Sequence, residues 1–127
     1  MIQKIYMYWR SGFINAPDVV KKCLLSWKIM NPSYDIIELD DDNLSNYIIL
    51  KDYIPNIDEK DISKTALSDI IRLALLSKYG GFWCDATLYC TASLNDWIEN
   101  NLEDGFFAYG SIRNPPYLFF NYHKVHM

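Results

Sequence analysis

The residues best able to do chemistry lie in two adjacent segments, SDIIRLALLSKYGG and FWCDATLYC. In the first, Asp69 and Arg72 are three residues apart in a helical pattern, which puts both on one face. A charge withdrawn from water is costly unless paired, and these two can pair with each other. They read either as an ion pair bracing a buried helix or as polar groups facing a ligand at the carboxyl end of a sheet. In the second segment Asp85 is a lone carboxylate in an apolar run, although acidic residues are depleted in strands. If Phe82 begins a strand, Asp85 shares a face with Trp83 and Thr87, while Cys84, Ala86 and Leu88 take the other. Asp85 is then either simply exposed at a strand end or delivered to where ligands bind in an α/β sheet.

Other candidates are weaker. Tyr6, Tyr8 and Trp9 end a first strand ahead of the turn Arg10-Ser11-Gly12, where an aromatic can fill the core or stack on a base. Asp40, Asp41 and Asp42 are consecutive, so their carboxylates point in different directions and lack the oxygen spacing of a calcium loop. They read as a cap and a solvated turn. His123 and His126 have no third ligand in view, and no catalytic triad order, dinucleotide fingerprint or P-loop is present. Cys23, Cys84 and Cys90 include no CxxC pair. On one straight strand Cys84 and Cys90 would lie about 20 Å apart, beyond the roughly 7 Å a disulfide allows, so all three are expected as reduced thiols.

The elements that must position these residues follow from periodicity. KIYMYW, from Lys4 to Trp9, predicts a strand. In NAPDVVKKCLLSWKIMNP the apolar Val20, Cys23, Leu24 and Trp27 recur at helical spacing, with Pro17 suited to the helix start and Pro32 beyond its end. Tyr34 to Leu39 predicts a second strand, so the opening forms a β-α-β unit with parallel strands. The acidic turn leads to a short helix capped by Asp41 or Asp42. TALSDIIRLALLSKYGG is apolar nearly all round and predicts a helix buried on most faces, with Lys78 in its last turn and Gly80 or Gly81 as its left-handed stop. The strand FWCDATLY, a short helix in SLNDWIENNL and a strand at FFAYG complete the pattern. The fold class is α/β.

A chain of 127 residues is one domain's length and can remove roughly two-thirds of its unfolded surface from water. Half of the residues are apolar, which excludes a disordered chain. A net charge of −4 argues against a nucleic-acid binder, so any phosphate bound here needs local help such as a metal ion. No stretch approaches the roughly 20 apolar residues that span a bilayer, and the opening MIQKIYMYW lacks the basic region, apolar run and cleavage site expected of a secretory leader. The expected location is the cytoplasm, with peripheral association at the inner face of its membrane.

Taken in order, SDIIRLALLSKYGGFWCDATLYC resembles the sugar-binding region of retaining, nucleotide-sugar-dependent glycosyltransferases with a DxD-like motif. The pattern is filled by Asp69, Arg72, Gly80-Gly81, Trp83 and Asp85-Ala86-Thr87. With KIYMYWRSG and APDVVKKCLLSWKIMNPSYDIIELDDDNL, the resemblance extends over about residues 2 to 95 and is nearest to the bacterial capsular polysaccharide synthesis proteins. It implies a GT-A fold, a Rossmann-like, mostly parallel sheet flanked by helices, filling residues 1–127 as the N-terminal part of a domain. Tyr8, Trp9, Asp69, Arg72, Gly81, Asp85 and Thr87 would bind the donor, a UDP-sugar being favoured. Trp9 would stack on the base, Asp69 and Arg72 would contact the sugar or ribose, and Asp85 with Thr87 would hold Mn²⁺ or Mg²⁺ at the diphosphate. The acceptor would be a hydroxyl of a capsular or surface glycan. Family members are about twice this length, so the resemblance also implies a truncated domain. The alternative is a catalytically incomplete donor-binding or assembly module, whose uncovered faces would favour self-association into a dimer.

Overall fold

The computed structural model of the chain describes residues 4–59 and 61–101. It divides into two compact units, Met1–Thr91 and Ala92–Met127. The first holds a three-stranded sheet of order β2-β1-β3, made of β1 (Lys4–Tyr8), β2 (Asp35–Leu39) and β3 (Phe82–Trp83). Both pairings are parallel, with Tyr6 opposite Ile37 on one side and Trp83 on the other. The expected α/β class and opening β-α-β unit are therefore present. Among the described residues, no helix is long and apolar enough to cross a membrane.

The chain returns from β1 to β2 through α1 (Asp18–Met30). Pro17 starts it with its carbonyl, which accepts from Val20 and Lys21 at 3.0 and 3.1 Å, and so gives up nothing by lacking an N–H. The expected stripe of Val20, Cys23, Leu24 and Trp27 is the buried one. The return to β3 runs through α2 (Leu50–Tyr53) and α3 (Lys64–Tyr79). The Ser63 hydroxyl caps α3 by accepting from the Ala66 amide at 3.1 Å, and Gly80 ends it at φ +69°. Gly81 follows at φ +97°, and a Cβ there would lie 2.9 Å from the Lys4 carbonyl, so backbone shape and contact both demand glycine.

Alternation along the strands builds two layers. Tyr6, Tyr8, Ile37 and Leu39 share one core with Leu44, Ile48, Ile71, Ala74 and Leu75, with Leu67, Leu76 and Trp83 packed against it. On the α1 side, Trp27 lies 5.8 Å from the Phe82 ring and its indole N–H donates to the Leu88 carbonyl at 2.9 Å. Ser26 donates to the Cys23 carbonyl at 2.6 Å and accepts from the Cys90 amide at 2.8 Å, which ties the segment after β3 onto α1.

Four expectations need correction. β3 ends at Trp83 rather than running to Tyr89. The Cys84 amide still donates to the Tyr6 carbonyl at 2.9 Å, but then the Leu88 amide closes a turn onto the Asp85 carbonyl at 3.1 Å. The straight-strand separation of Cys84 and Cys90 therefore does not apply. All three cysteines are free thiols buried in the α1 region, and burial pushes the Cys84 thiol well above its ordinary pKa. Next, α3 is buried along one stripe rather than most of its circumference: Ile71, Ala74 and Leu75 are inside, whereas Leu73 is 63% exposed. Its length of sixteen residues offers a single sheet face to cover, and the opposite side faces outward. Neither Asp41 nor Asp42 caps the short 3₁₀ helix Leu44–Asn46, whose start at Asn43 has no side-chain capping bond; Asp40 instead closes the acidic turn, its Oδ1 accepting from the amides of Asp42 and Asn43 at 2.9 and 2.8 Å. Finally, SLNDWIENNL forms a 3₁₀ turn, Leu94–Asp96, and then α4 (Ile98–Asn101), because Trp97 at φ −141° breaks the helical run. FFAYG and both histidines lie outside the described residues.

Candidate functional site

Because all three strands run parallel, their carboxyl ends deliver Tyr8-Trp9, Leu39 to Asp41, and Trp83 to Asp85 to one end of the sheet. The chain leaves β1 for β2 on one side and later returns to pair β3 on the other. Such a reversal opens a crevice between β1 and β3 at the carboxyl ends, where open α/β sheets take their ligands.

Each candidate can be located on this frame. Trp9 anchors its backbone by donating to the Leu39 carbonyl at 2.9 Å, while its half-buried indole makes no hydrogen bond among the described residues. Asp85 is exposed, and its Oδ1 accepts from the Trp83 indole N–H at 2.9 Å. Thr87 is exposed two residues on, within the turn. Asp69 and Arg72 form an ion pair of 3.1 Å whose side chains are 52% and 40% exposed, so the pair is half-solvated rather than buried. Since α3 runs into β3 at the amino end of the sheet, Asp69, ten residues before Tyr79, lies roughly 15 Å up the helix from that turn. Asp85 lies two residues past the carboxyl end of β3, at the entry to the turn. Gly81 is the exception. It precedes β3, against Lys4 and Tyr6, at the opposite end of the strand from Asp85.

Two residues that the sequence reading passed over join this end of the sheet. Asp41, expected in a solvated turn, accepts from the Tyr8 hydroxyl at 2.5 Å and from Arg10 Nε at 3.1 Å. Burial first, and the bond to Asp41 second, hold the Tyr8 hydroxyl protonated well above its ordinary pKa. The available signal was positional: in a parallel β-α-β unit the residues after each strand meet side by side, which brings Arg10 to Asp41.

The donor set defines what the site can hold. Asp85 has one oxygen engaged by Trp83 and offers the other; among the described residues no group of three histidine, cysteine or acidic side chains converges on a metal position. That set fits a hard cation held by one carboxylate together with phosphate oxygens and water, the usual arrangement for Mg²⁺, and does not fit an all-protein cage. A cavity of about 280 Å³ lined by Lys28, Asn31, Pro32, Tyr34, Ile36 and Glu38 lies beside α1's carboxyl end and β2, away from these residues.

The O-glycosyltransferase braB of Annulohypoxylon truncatum is 24% identical over 112 residues, which are 80% of this chain and 27% of the relative. The glycosyltransferase afumC of Aspergillus fumigatus is 28% identical over 113 residues, 80% of this chain and 29% of the relative. The chain thus spans less than a third of the length of either. No solved structure matches. The family described as capsular polysaccharide synthesis protein matches residues 1–122, taking in the strand ends, α3 and the Asp85 turn together, and the chain belongs to that family.

Proposed function

We propose that this chain carries the donor site of a glycosyltransferase that moves a sugar from a nucleotide-sugar, a UDP-sugar being favoured, to a hydroxyl of a capsular or surface polysaccharide. The observation that carries the reading is the arrival of Trp9 and Asp85 on either side of the β1/β3 crevice, at the carboxyl ends of parallel strands. An aromatic face there suits a base, and a carboxylate just past the next strand suits a cation at the diphosphate end. The names of the curated relatives support the reaction class.

In the reaction the bond between the sugar's anomeric carbon and the diphosphate oxygen breaks, and the nucleoside diphosphate leaves with the electron pair. The acceptor oxygen forms the new bond and loses its proton; retention of anomeric configuration is the outcome favoured by the resemblance. Mn²⁺ or Mg²⁺, when bound, neutralises the leaving diphosphate. The chain's own work is binding and orientation. Trp9 covers the base, Asp85 and Thr87 face the diphosphate, and Trp83 fixes the carboxylate rotamer. Asp69 and Arg72, half-exposed on α3, have donors and acceptors available for the sugar or ribose hydroxyls.

A second reading is a module that binds the donor without transferring it, since the chain spans less than a third of the length of its two glycosyltransferase relatives. A thermal-shift series with UDP-sugars, with and without Mn²⁺, tests both. Stabilisation that needs Mn²⁺ and disappears in Asp85→Ala supports the donor site, and absence of any shift at millimolar donor overturns it. Release of UDP in the presence of glycan acceptor favours transfer; binding without release favours the module.

A further inference from the structure

Tyr8, Trp9 and Arg10 follow one another at the carboxyl end of β1, and the two that flank Trp9 are held by one carboxylate. Asp41 Oδ1 accepts from the Tyr8 hydroxyl at 2.5 Å, its Oδ2 accepts from Arg10 Nε at 3.1 Å, and its amide donates to the Arg10 carbonyl at 3.0 Å. The Arg10 guanidinium also interacts with the Tyr8 hydroxyl, which joins the three side chains into one cluster. Register explains why Asp41 does this rather than its acidic neighbours. Tyr8 pairs with Leu39, so two residues further along each chain Arg10 meets Asp41. The turn that carries Asp41 is fixed by Asp40, whose Oδ1 accepts from the amides of Asp42 and Asn43, and by Asn43, whose side-chain amide donates to the Glu38 carbonyl at 2.8 Å.

Trp9 itself is tied through its backbone. Its amide donates to the Leu39 carbonyl at 2.9 Å, and its carbonyl accepts from the Gly12 amide at 2.9 Å. The direction of its Cα–Cβ bond, and with it the placement of the half-buried indole, follows from the path of the chain through Tyr8 and Arg10.

We propose that Asp41 is a positioning residue for the nucleotide's base: by holding Tyr8 and Arg10 it presets the face of Trp9 on which the base stacks. This rests on the donor-site reading above. A face that is ordered before the ligand arrives binds more tightly, because ordering a side chain and its loop on binding subtracts from affinity. Beyond Arg10 the chain turns away at Gly12, with φ +89°, so the Asp41 cluster sits where the sheet stops supporting it. Asp41 also lies apart from the proposed diphosphate end. It follows β2 and Asp85 follows β3, with β1 between them. An effect on the base can therefore be separated from an effect on the phosphates by the choice of ligand.

The test is the affinity of UDP and of inorganic pyrophosphate, which has no base, each with Mn²⁺. The proteins are the wild-type chain, Trp9→Ala, Asp41→Asn, Tyr8→Phe and the double variant Trp9→Ala/Asp41→Asn. Asp41→Asn keeps an acceptor for Tyr8 but sets an amide N–H against Arg10 Nε, donor against donor, whereas Tyr8→Phe removes the other arm and leaves the Arg10 pair intact. Trp9→Ala is expected to weaken UDP by at least about fivefold, the lower end of what stacking a base on an aromatic contributes. Asp41→Asn and Tyr8→Phe should each weaken UDP in the same direction by a smaller factor. In the Trp9→Ala background Asp41→Asn should add nothing further, and pyrophosphate affinity should be the same in all five proteins. A loss of UDP affinity from Asp41→Asn that is equal with Trp9 present or absent overturns the inference and leaves the donor site standing. So does a matching change in pyrophosphate affinity, which would mean that Asp41 acts through charge or folding, and so does UDP affinity unchanged in both Asp41→Asn and Tyr8→Phe. Failure of the wild type to bind either ligand, or a Trp9→Ala variant that binds UDP as the wild type does, overturns the donor-site reading and the inference together.

Discussion

The indole N–H of Trp83 donates to Oδ1 of Asp85 at 2.9 Å, so the last residue of β3 orients the carboxylate that follows it. The bond engages one Asp85 oxygen and leaves the other for the ligand of the proposed donor site. Trp83→Phe keeps the ring packed on the core and removes the donor. Mn²⁺-dependent donor binding is expected to weaken about tenfold, at the low end of the loss seen when a partner of a metal-binding group is removed. Calorimetric titration of UDP with and without Mn²⁺ measures this, and an unchanged affinity would show that the carboxylate needs no support.

The Asp69–Arg72 pair is exposed enough to contribute little to folding. A double-mutant cycle with Asp69→Asn and Arg72→Gln should give a coupling of about 0.5 kcal/mol or less, as for other solvated helix pairs. Donor affinity should fall in both variants. A coupling well above about 1 kcal/mol would make the pair a structural brace instead.

Gly81 and Gly80 both have positive φ, but only Gly81 is also crowded. Gly80→Ala should cost about 1–3 kcal/mol of backbone strain, with open space for the new methyl. Gly81→Ala adds a contact of 2.9 Å with the Lys4 carbonyl and should cost more, measured by the urea midpoint. Equal midpoints for the two variants would contradict the close packing of the β3 start on β1.

Alkaline pH should destabilise the fold in two stages. Burial raises the Cys84 thiol, and burial with the Asp41 bond raises the Tyr8 hydroxyl, so both keep their protons in the folded state longer than in the unfolded chain. The folded state then binds more protons, and stability falls as pH rises. The decline starts near pH 8.5, where unfolded cysteine ionises, and steepens near pH 10, where unfolded tyrosine does. In Tyr8→Phe the second stage should be shallower. A stability curve flat from pH 8 to pH 11 would contradict this account.

The three thiols should resist modification. Cys23, Cys84 and Cys90 are 2%, 1% and 5% exposed, so a thiol reagent should label none of them in the native protein and all of them in guanidinium. Rapid labelling of a native thiol would mean that the segment after β3 opens from α1.

Periodicity located β1, α1, β2 and α3 because each buries a repeating stripe, and the positions of Val20, Cys23, Leu24 and Trp27 announce their helix by spacing alone. The short stretches were less legible. FWCDATLY alternates like a strand, and Cys84 and Ala86 are indeed buried while Asp85 and Thr87 are exposed. The chain nonetheless leaves β1 after Trp83, because the turn closed by Leu88 onto Asp85 and the bonds from Trp27 and Ser26 draw it onto α1. Those partners are about sixty residues away in sequence, at separations of 61 and 64, and a local pattern carries no trace of them.

By itself the sequence determined that this is an α/β chain and that Trp9, Asp69, Arg72 and Asp85 are its chemically conspicuous residues, since residue type and local period suffice for both. Only the tertiary structure decided which of them meet. Parallel pairing puts the strand ends together, and so turns Asp41 from one of three acids in a turn into the anchor of Tyr8 and Arg10. It also separates Gly81 from Asp85 by the length of β3. Proximity across strands is set by register, and register is a property of the folded sheet rather than of any one segment.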